Sequence, residues 1–170
     1  MKRRSSFIVP KKWMAIVATV VIAFWFVKLS GEFFGNFRVS EQSVARQISA
    51  HPNLSRVVDA DTIIVGQITV RLDGISAPER GHEAYEAGKW FVADLMREAE
   101  LVVCDLEGRN LRGREIGACY FVFPDGLRID PQAEAVKAGF ARDCPRYSSG
   151  RYKKFETSAS KALPLPPYCT

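Results

Sequence analysis

The first 103 residues of this chain contain no cysteine, and the whole chain holds only two histidines, His51 and His82. Neither has a second His or a Cys at zinc-ligand spacing, which excludes a structural zinc site. No glycine-rich phosphate-cradling loop occurs, and no serine-nucleophile elbow, so P-loop and serine-hydrolase chemistry are excluded as well. Internal repeats and long low-complexity tracts are also missing, and 170 residues suffice for one compact domain plus an appendage. Acids are scarce at one end only. Residues 1–53 carry two acids against eight Lys or Arg, net +6, whereas residues 54–170 carry seventeen acids against sixteen bases, net −1. The chain's net +5 therefore belongs to its N-terminal part and points to a membrane rather than to nucleic acid.

The N-terminal part also holds one uncharged run, residues 13–27 (WMAIVATVVIAFWFV), fifteen residues long. A membrane span needs about 20 apolar residues, a length that Lys28 can extend by snorkelling together with Leu29, Phe33 and Phe34. A cleaved signal peptide is the alternative, although the residues after the run show no clear small-x-small cleavage site. Five bases precede the run (Lys2, Arg3, Arg4, Lys11, Lys12), which keeps the N-terminus cytoplasmic and places the C-terminal domain outside. The expected organisation is a basic N-terminus over 1–12, a transmembrane or signal-anchor helix over 13–30, a linker over 31–53, a domain over 54–162 and a Pro-rich tail over 163–170.

Four cysteines allow three pairings. The strand-like stretches 101–104 and 118–123 flank a turn-rich segment, and a hairpin centred between Leu111 and Arg112 sets Cys104 opposite Cys119. Cys144 and Cys169 then remain, and a bond between them would tie down a tail with little means of packing by itself. Four reduced thiols are the alternative, and oxidation is favoured by the extracytoplasmic placement.

Residues 56–58, 62–65 and 68–72 are β-branched runs parted by Asp-Ala-Asp and Gly-Gln, the pattern of a three-stranded meander. Between 83 and 98, Ala84, Ala87, Phe91 and Leu95 recur at helical spacing. The hairpin supplies strands four and five. Pro131 opens a short second helix that stops at Gly139, and residues 148–162 read as a third. The layout is α+β: a small five-stranded barrel with about three helices packed outside.

Two short segments concentrate the chemistry, Val58-Asp59-Ala60-Asp61-Thr62 and Arg71-Leu72-Asp73-Gly74-Ile75-Ser76-Ala77-Pro78-Glu79. Asp61, between two strands, can cap a turn or bind a hard cation through oxygen. Asp59 suits a turn or outer-shell support, and Thr62 local hydrogen bonding. Arg71 sits in an apolar strand, where a guanidinium needs an anionic partner: a salt bridge to Asp73 or Glu79, or a bound phosphate. Glu79 is held on a stiff Ala-Pro turn at the start of the coming helix.

Asp59-Ala-Asp-Thr62, Arg71-Leu72 leading to Ala77-Pro78-Glu79, and Arg112-Gly113-Arg114 before an apolar strand resemble the staphylococcal nuclease (thermonuclease) family, in order and in spacing, over roughly residues 54–162. The resemblance implies an OB-fold barrel that hydrolyses DNA and RNA with calcium, or another divalent cation. By the same resemblance Asp61 is a metal ligand, Asp59 its outer-shell support and Ala77 a backbone-carbonyl ligand. Glu79 becomes the general base, Arg71 and Arg114 stabilise the transition state, and Tyr147 and Arg112 contact the nucleotide. One position departs: the family's usual metal-binding aspartate, three residues before the glutamate, is Ser76 here. A hydroxyl there removes a charge and a strong ligand, so calcium should bind more weakly. Asp73 is the residue available to compensate. The basic set Arg142, Arg146, Arg151, Lys153 and Lys154 reads either as a phosphate track or as a solvated helix face.

Two functions are expected from this: a membrane-anchored extracytoplasmic nuclease, monomeric, acting on single-stranded DNA or RNA with no organic cofactor, or a catalytically impaired relative that binds nucleic acid or a protein at the cell envelope.

Overall fold

The computed structural model describes residues 46–109 and 112–170. The basic N-terminus, the apolar run and most of the expected linker lie outside the described residues. Among the described residues no helix is long and apolar enough to cross a membrane.

The chain folds as an α+β domain. In order come β1 (Arg46–Ala50), β2 (Ser55–Asp59), β3 (Thr62–Val65), β4 (Ile68–Leu72), β5 (Ile75–Ser76), α1 (Ala84–Glu98), β6 (Leu101–Arg109) and β7 (Glu115–Val122). After these come β8 (Arg128–Ile129), α2 (Pro131–Lys137), β9 (Arg142–Asp143), α3 (Pro145–Ser148) and α4 (Ser158–Ala162), with 3-10 turns at Pro52–Leu54, Lys153–Phe155 and Pro167–Cys169.

β2, β3 and β4 form the expected meander, its second turn made at Gly66 with φ +61°. β4 then pairs in parallel with β7, and β7 pairs antiparallel with β6. The hairpin register sets Cys104 opposite Cys119, and a bulge between Leu106 and Gly108 shifts the remainder by one residue. In place of five strands closed into a barrel, the sheet has seven strands in the open order β1-β6-β7-β4-β3-β2, with β8 added to β7. Its two ends, β1 and β2, are nonetheless consecutive in the chain, separated by residues 51–54.

Three further expectations are corrected. Residues 46–50 belong to the sheet rather than to a linker: β1 pairs along β6, with Arg46 bonded to Glu115 at 2.7 Å and Gln47 to Asp105 at 2.7 Å. Those partners are far away in sequence, beyond the reach of local composition. The buried stripe of α1 is Tyr85, Gly88, Val92 and Met96, one residue on from the predicted one, and Ala87 is exposed. Gly88 explains the rotation: a Cβ there would lie 3.0 Å from Phe140 and 3.2 Å from Ala60, so the missing side chain lets the helix press against the β2–β3 turn. Finally, the predicted helix over 148–162 is broken twice, by left-handed backbone at Ser149 and Gly150, φ 53° and 78°, and by extended backbone at Glu156 and Thr157.

The core fills the space between sheet and helices, with Ile63, Val70, Leu72, Val92, Val102 and Phe121 almost wholly buried. Each such side chain contributes about 1.5–3 kcal/mol. Disulfides join Cys104 to Cys119 and Cys144 to Cys169, leaving no free cysteine. Two bonds of this kind fit an oxidising, extracytoplasmic environment.

Candidate functional site

The β2–β3 turn, the end of β4 and the strand β5 meet at one place. Asp61, in the turn, is buried, and its Oδ1 lies 2.7 Å from Arg71 Nη1 on the neighbouring strand. Thr62 Oγ1 donates to the same Oδ1 at 3.1 Å, and the Ala77 amide donates to Oδ2 at 2.6 Å. Arg71 also donates to the Asp61 and Ile75 carbonyls, both at 3.0 Å. Arg114, in the loop leading into β7, donates to Thr62 Oγ1 at 3.3 Å. Parallel pairing of β4 with β7 is what brings these two arginines together across 43 residues of chain.

The partner of Arg71 is therefore Asp61, not Asp73 or Glu79 as the sequence suggested. Asp73 instead meets Arg151 at 3.3 Å. That contact commits Asp73 elsewhere and removes it as a stand-in for the aspartate absent at Ser76. Asp59 takes a turn role, its Oδ1 accepting from the Asp61 amide at 3.2 Å. Ser76 is fully buried, paired in β5 with Arg142 of β9. At Ala77 it is the amide, rather than the carbonyl, that faces Asp61. Burial pushes the Asp61 carboxyl up to about 7, Arg71 working against that rise and the charge of Asp59 adding to it.

Glu79 lies two residues beyond Ala77, past Pro78. It is exposed, and among the described residues its side chain has no hydrogen bond or ion pair. Tyr147 is half exposed, 51%. Its helix, α3, is held to the site by backbone: Cys144 N donates to Gly74 O at 2.9 Å, and a Cβ on Gly74 would stand 2.9 Å from that of Ser148. Arg146 lies 5.9 Å from the Tyr147 ring. Arg112 is exposed on the loop two residues before Arg114.

Calcium calls for about six to eight oxygen ligands, several of them carboxylate. Both Asp61 oxygens already accept protein donors, one of them a guanidinium, and Asp59 caps the turn. Among the described residues no group of three or more His, Cys, Asp or Glu is placed to hold a metal ion. The residues present do not fit calcium.

Of the residues singled out in the sequence, the structure brings Asp61, Thr62, Arg71, Ala77 and Arg114 together, in pairings the sequence did not suggest. Thr62 as the bridge from Asp61 to Arg114, and Gly74 as the seat of α3, carried no local signal. No family model matches this chain, and no curated protein matches it.

Proposed function

We propose that the chain is an extracytoplasmic nuclease of thermonuclease type, tethered by residues 13–27 and acting on phosphodiester bonds of single-stranded DNA or RNA. The observation that carries the reading is the convergence of Arg71, Arg114, Thr62 and Asp61, with the exposed Glu79 two residues along the chain from Ala77, whose amide bonds Asp61. The sheet order supports an OB-type core: a meander, a parallel β4–β7 pairing and a β7–β6–β1 run that returns to the segment preceding β2. In this reading Glu79 takes a proton from the attacking water. Arg114, reached from the loop, offsets charge building on the phosphoryl oxygens, while Arg71 holds Asp61 in place. The disulfides support a compartment outside the cytoplasm.

No step is assigned to calcium, so turnover is low. The Asp61–Arg71 pair favours a second reading, a pocket that holds a phosphodiester without cleaving it. The test is cleavage of an end-labelled single-stranded oligonucleotide by the detergent-solubilised full chain, with calcium and with chelator, beside Ser76→Asp. The expected result is slow, chelator-insensitive cleavage by the native chain and calcium-dependent cleavage at least about tenfold faster by the variant. Binding without cleavage by either chain would overturn the hydrolase and support the second reading.

A further inference from the structure

A second group of cations surrounds a depression of about 450 Å³ between β8, α2 and the 3-10 turn Lys153–Phe155. Its chemistry differs from that of the Arg71–Arg114 site, because its four basic side chains all stand over aromatic rings. Arg128 lies 3.4 Å from the Tyr120 ring centre and Arg151 4.8 Å from that of Tyr152. Lys137 and Lys154 both stand 4.9 Å from the Phe155 ring. A ring face attracts a cation without neutralising it, so positive charge is fixed in place and left available to an anion.

Two of these four cations are paired with acids, Lys137 with Glu134 at 2.6 Å and Arg151 with Asp73, while Asp130, also in the lining, caps α2 by accepting from Ala133 N at 3.0 Å. Among the described residues Arg128 and Lys154 have no carboxylate partner, whereas Arg151 is shared with Asp73 at 3.3 Å. This concentration stands out in a domain whose charge from residue 54 onward is −1. The shared Asp73 lies one residue from Gly74, where α3 is seated, so the depression and the Arg71–Arg114 site meet at the β4–β5 turn.

We infer that this depression is a second binding site for the phosphodiester backbone of single-stranded nucleic acid, holding nucleotides of the same strand that lie outside the Arg71–Arg114 site, with Arg128 and Lys154 as the principal phosphate contacts. The inference rests on the reading of that site as nucleic-acid-directed. Half-exposed Arg151 continues the charge between the two places. The expected basic run is thereby divided: Arg151 and Lys154 belong to the depression, while Arg142 is bonded to Glu156 at 3.3 Å and is structural.

The test is fluorescence anisotropy with the full chain, using a labelled single strand of about twelve nucleotides and a dinucleotide across a salt series. The variants are Arg128→Glu/Lys154→Glu, the neutral pair Arg128→Gln/Lys154→Gln checked for an unchanged melting temperature, and Arg56→Glu/Lys89→Glu as a charge-matched control. Arg56 and Lys89 line a separate depression beside Trp90. The expected result is a Kd for the long strand raised about tenfold or more in the charge reversal, and a salt slope lower by about 1.4, the loss of two phosphate contacts. Dinucleotide binding is unchanged, the control shifts Kd less than about twofold, and the neutral pair falls between. An unchanged Kd for the long strand, an equal loss in the control, or an equal loss for the dinucleotide overturns the second site while the first stands. A native chain that binds no oligonucleotide of either length overturns both.

Discussion

The molecule handles arginine in two ways. At the β2–β4–β7 junction Arg71 is mostly buried and faces a carboxylate and two carbonyls, which take three of its five N–H groups. Around β8 and α2, Arg128 and Lys154 are exposed and rest on aromatic rings. The first arrangement uses the guanidinium as structure, with Arg114 joined to it through Thr62; the second leaves Arg128 and Lys154 without a carboxylate among the described residues. The lesson is that a cation's role depends on its partner: a buried guanidinium must find an anion, and when no other anion is supplied it takes the nearest carboxylate.

The contrast can be broken most strongly at Arg71. Arg71→Ala removes the partner of buried Asp61 and the donor to the Asp61 and Ile75 carbonyls, and should cost about 3–5 kcal/mol of unfolding free energy, measurable by denaturant titration. Arg128→Ala should change it by less than about 0.5 kcal/mol. Similar losses at both positions would erase the distinction.

Next in size is the Cys144–Cys169 bond, which closes a 25-residue separation containing Arg151, Tyr152, Lys154 and Phe155. Replacing both cysteines by alanine should cost about 3 kcal/mol. Hydrogen exchange should rise over residues 145–168 while the β2–β4 meander stays protected, so the aromatic cation group loosens and the Asp61 cluster does not.

The smallest effect sharpens the first cluster alone. The Asp61 carboxyl titrates near 7 when folded, above its ordinary 3.8, so the folded state binds the proton more tightly than the unfolded chain. This contribution to stability is fully present below about pH 4 and is lost as pH rises toward 7. Asp61→Asn should remove that slope from a plot of melting temperature against pH. A slope that survives the substitution would assign it to another group.

Much of the fold was legible. The β-branched runs and the glycine at 66 gave the meander, and the symmetry of the 101–123 segment gave the Cys104–Cys119 register. The features that escaped had long-range causes. β1 exists because the edge of β6 supplies backbone partners for residues 46–50, reinforced by Asp105 of β6 for Gln47 and Glu115 of β7 for Arg46, all distant in sequence. The face of α1 was displaced by one residue because Gly88 contributes to the buried stripe through lack of a side chain, which a search for apolar residues cannot register. The break at Ser149-Gly150 lies in a stretch whose Lys and Arg content reads as helical.

At the site, identities were legible and pairing was not. Asp59, Asp61, Arg71 and Arg114 could be gathered by motif, yet the choice of Asp61 over Asp73 as Arg71's partner depends on the β3–β4 register, which sets Thr62 opposite Arg71. Arg128 and Lys137 had no signal at all, since the rings they stand over come from β7 and the 150s.

The most direct test of the central claim is single-turnover cleavage of an end-labelled single strand by the full chain and by Glu79→Gln, with oligonucleotide binding measured in parallel. Glu79 is exposed and among the described residues has no side-chain partner, so the substitution leaves the fold intact. Binding should stay within about twofold of the native chain and the cleavage rate should fall by about a hundredfold or more. Cleavage at the native rate in Glu79→Gln would contradict it.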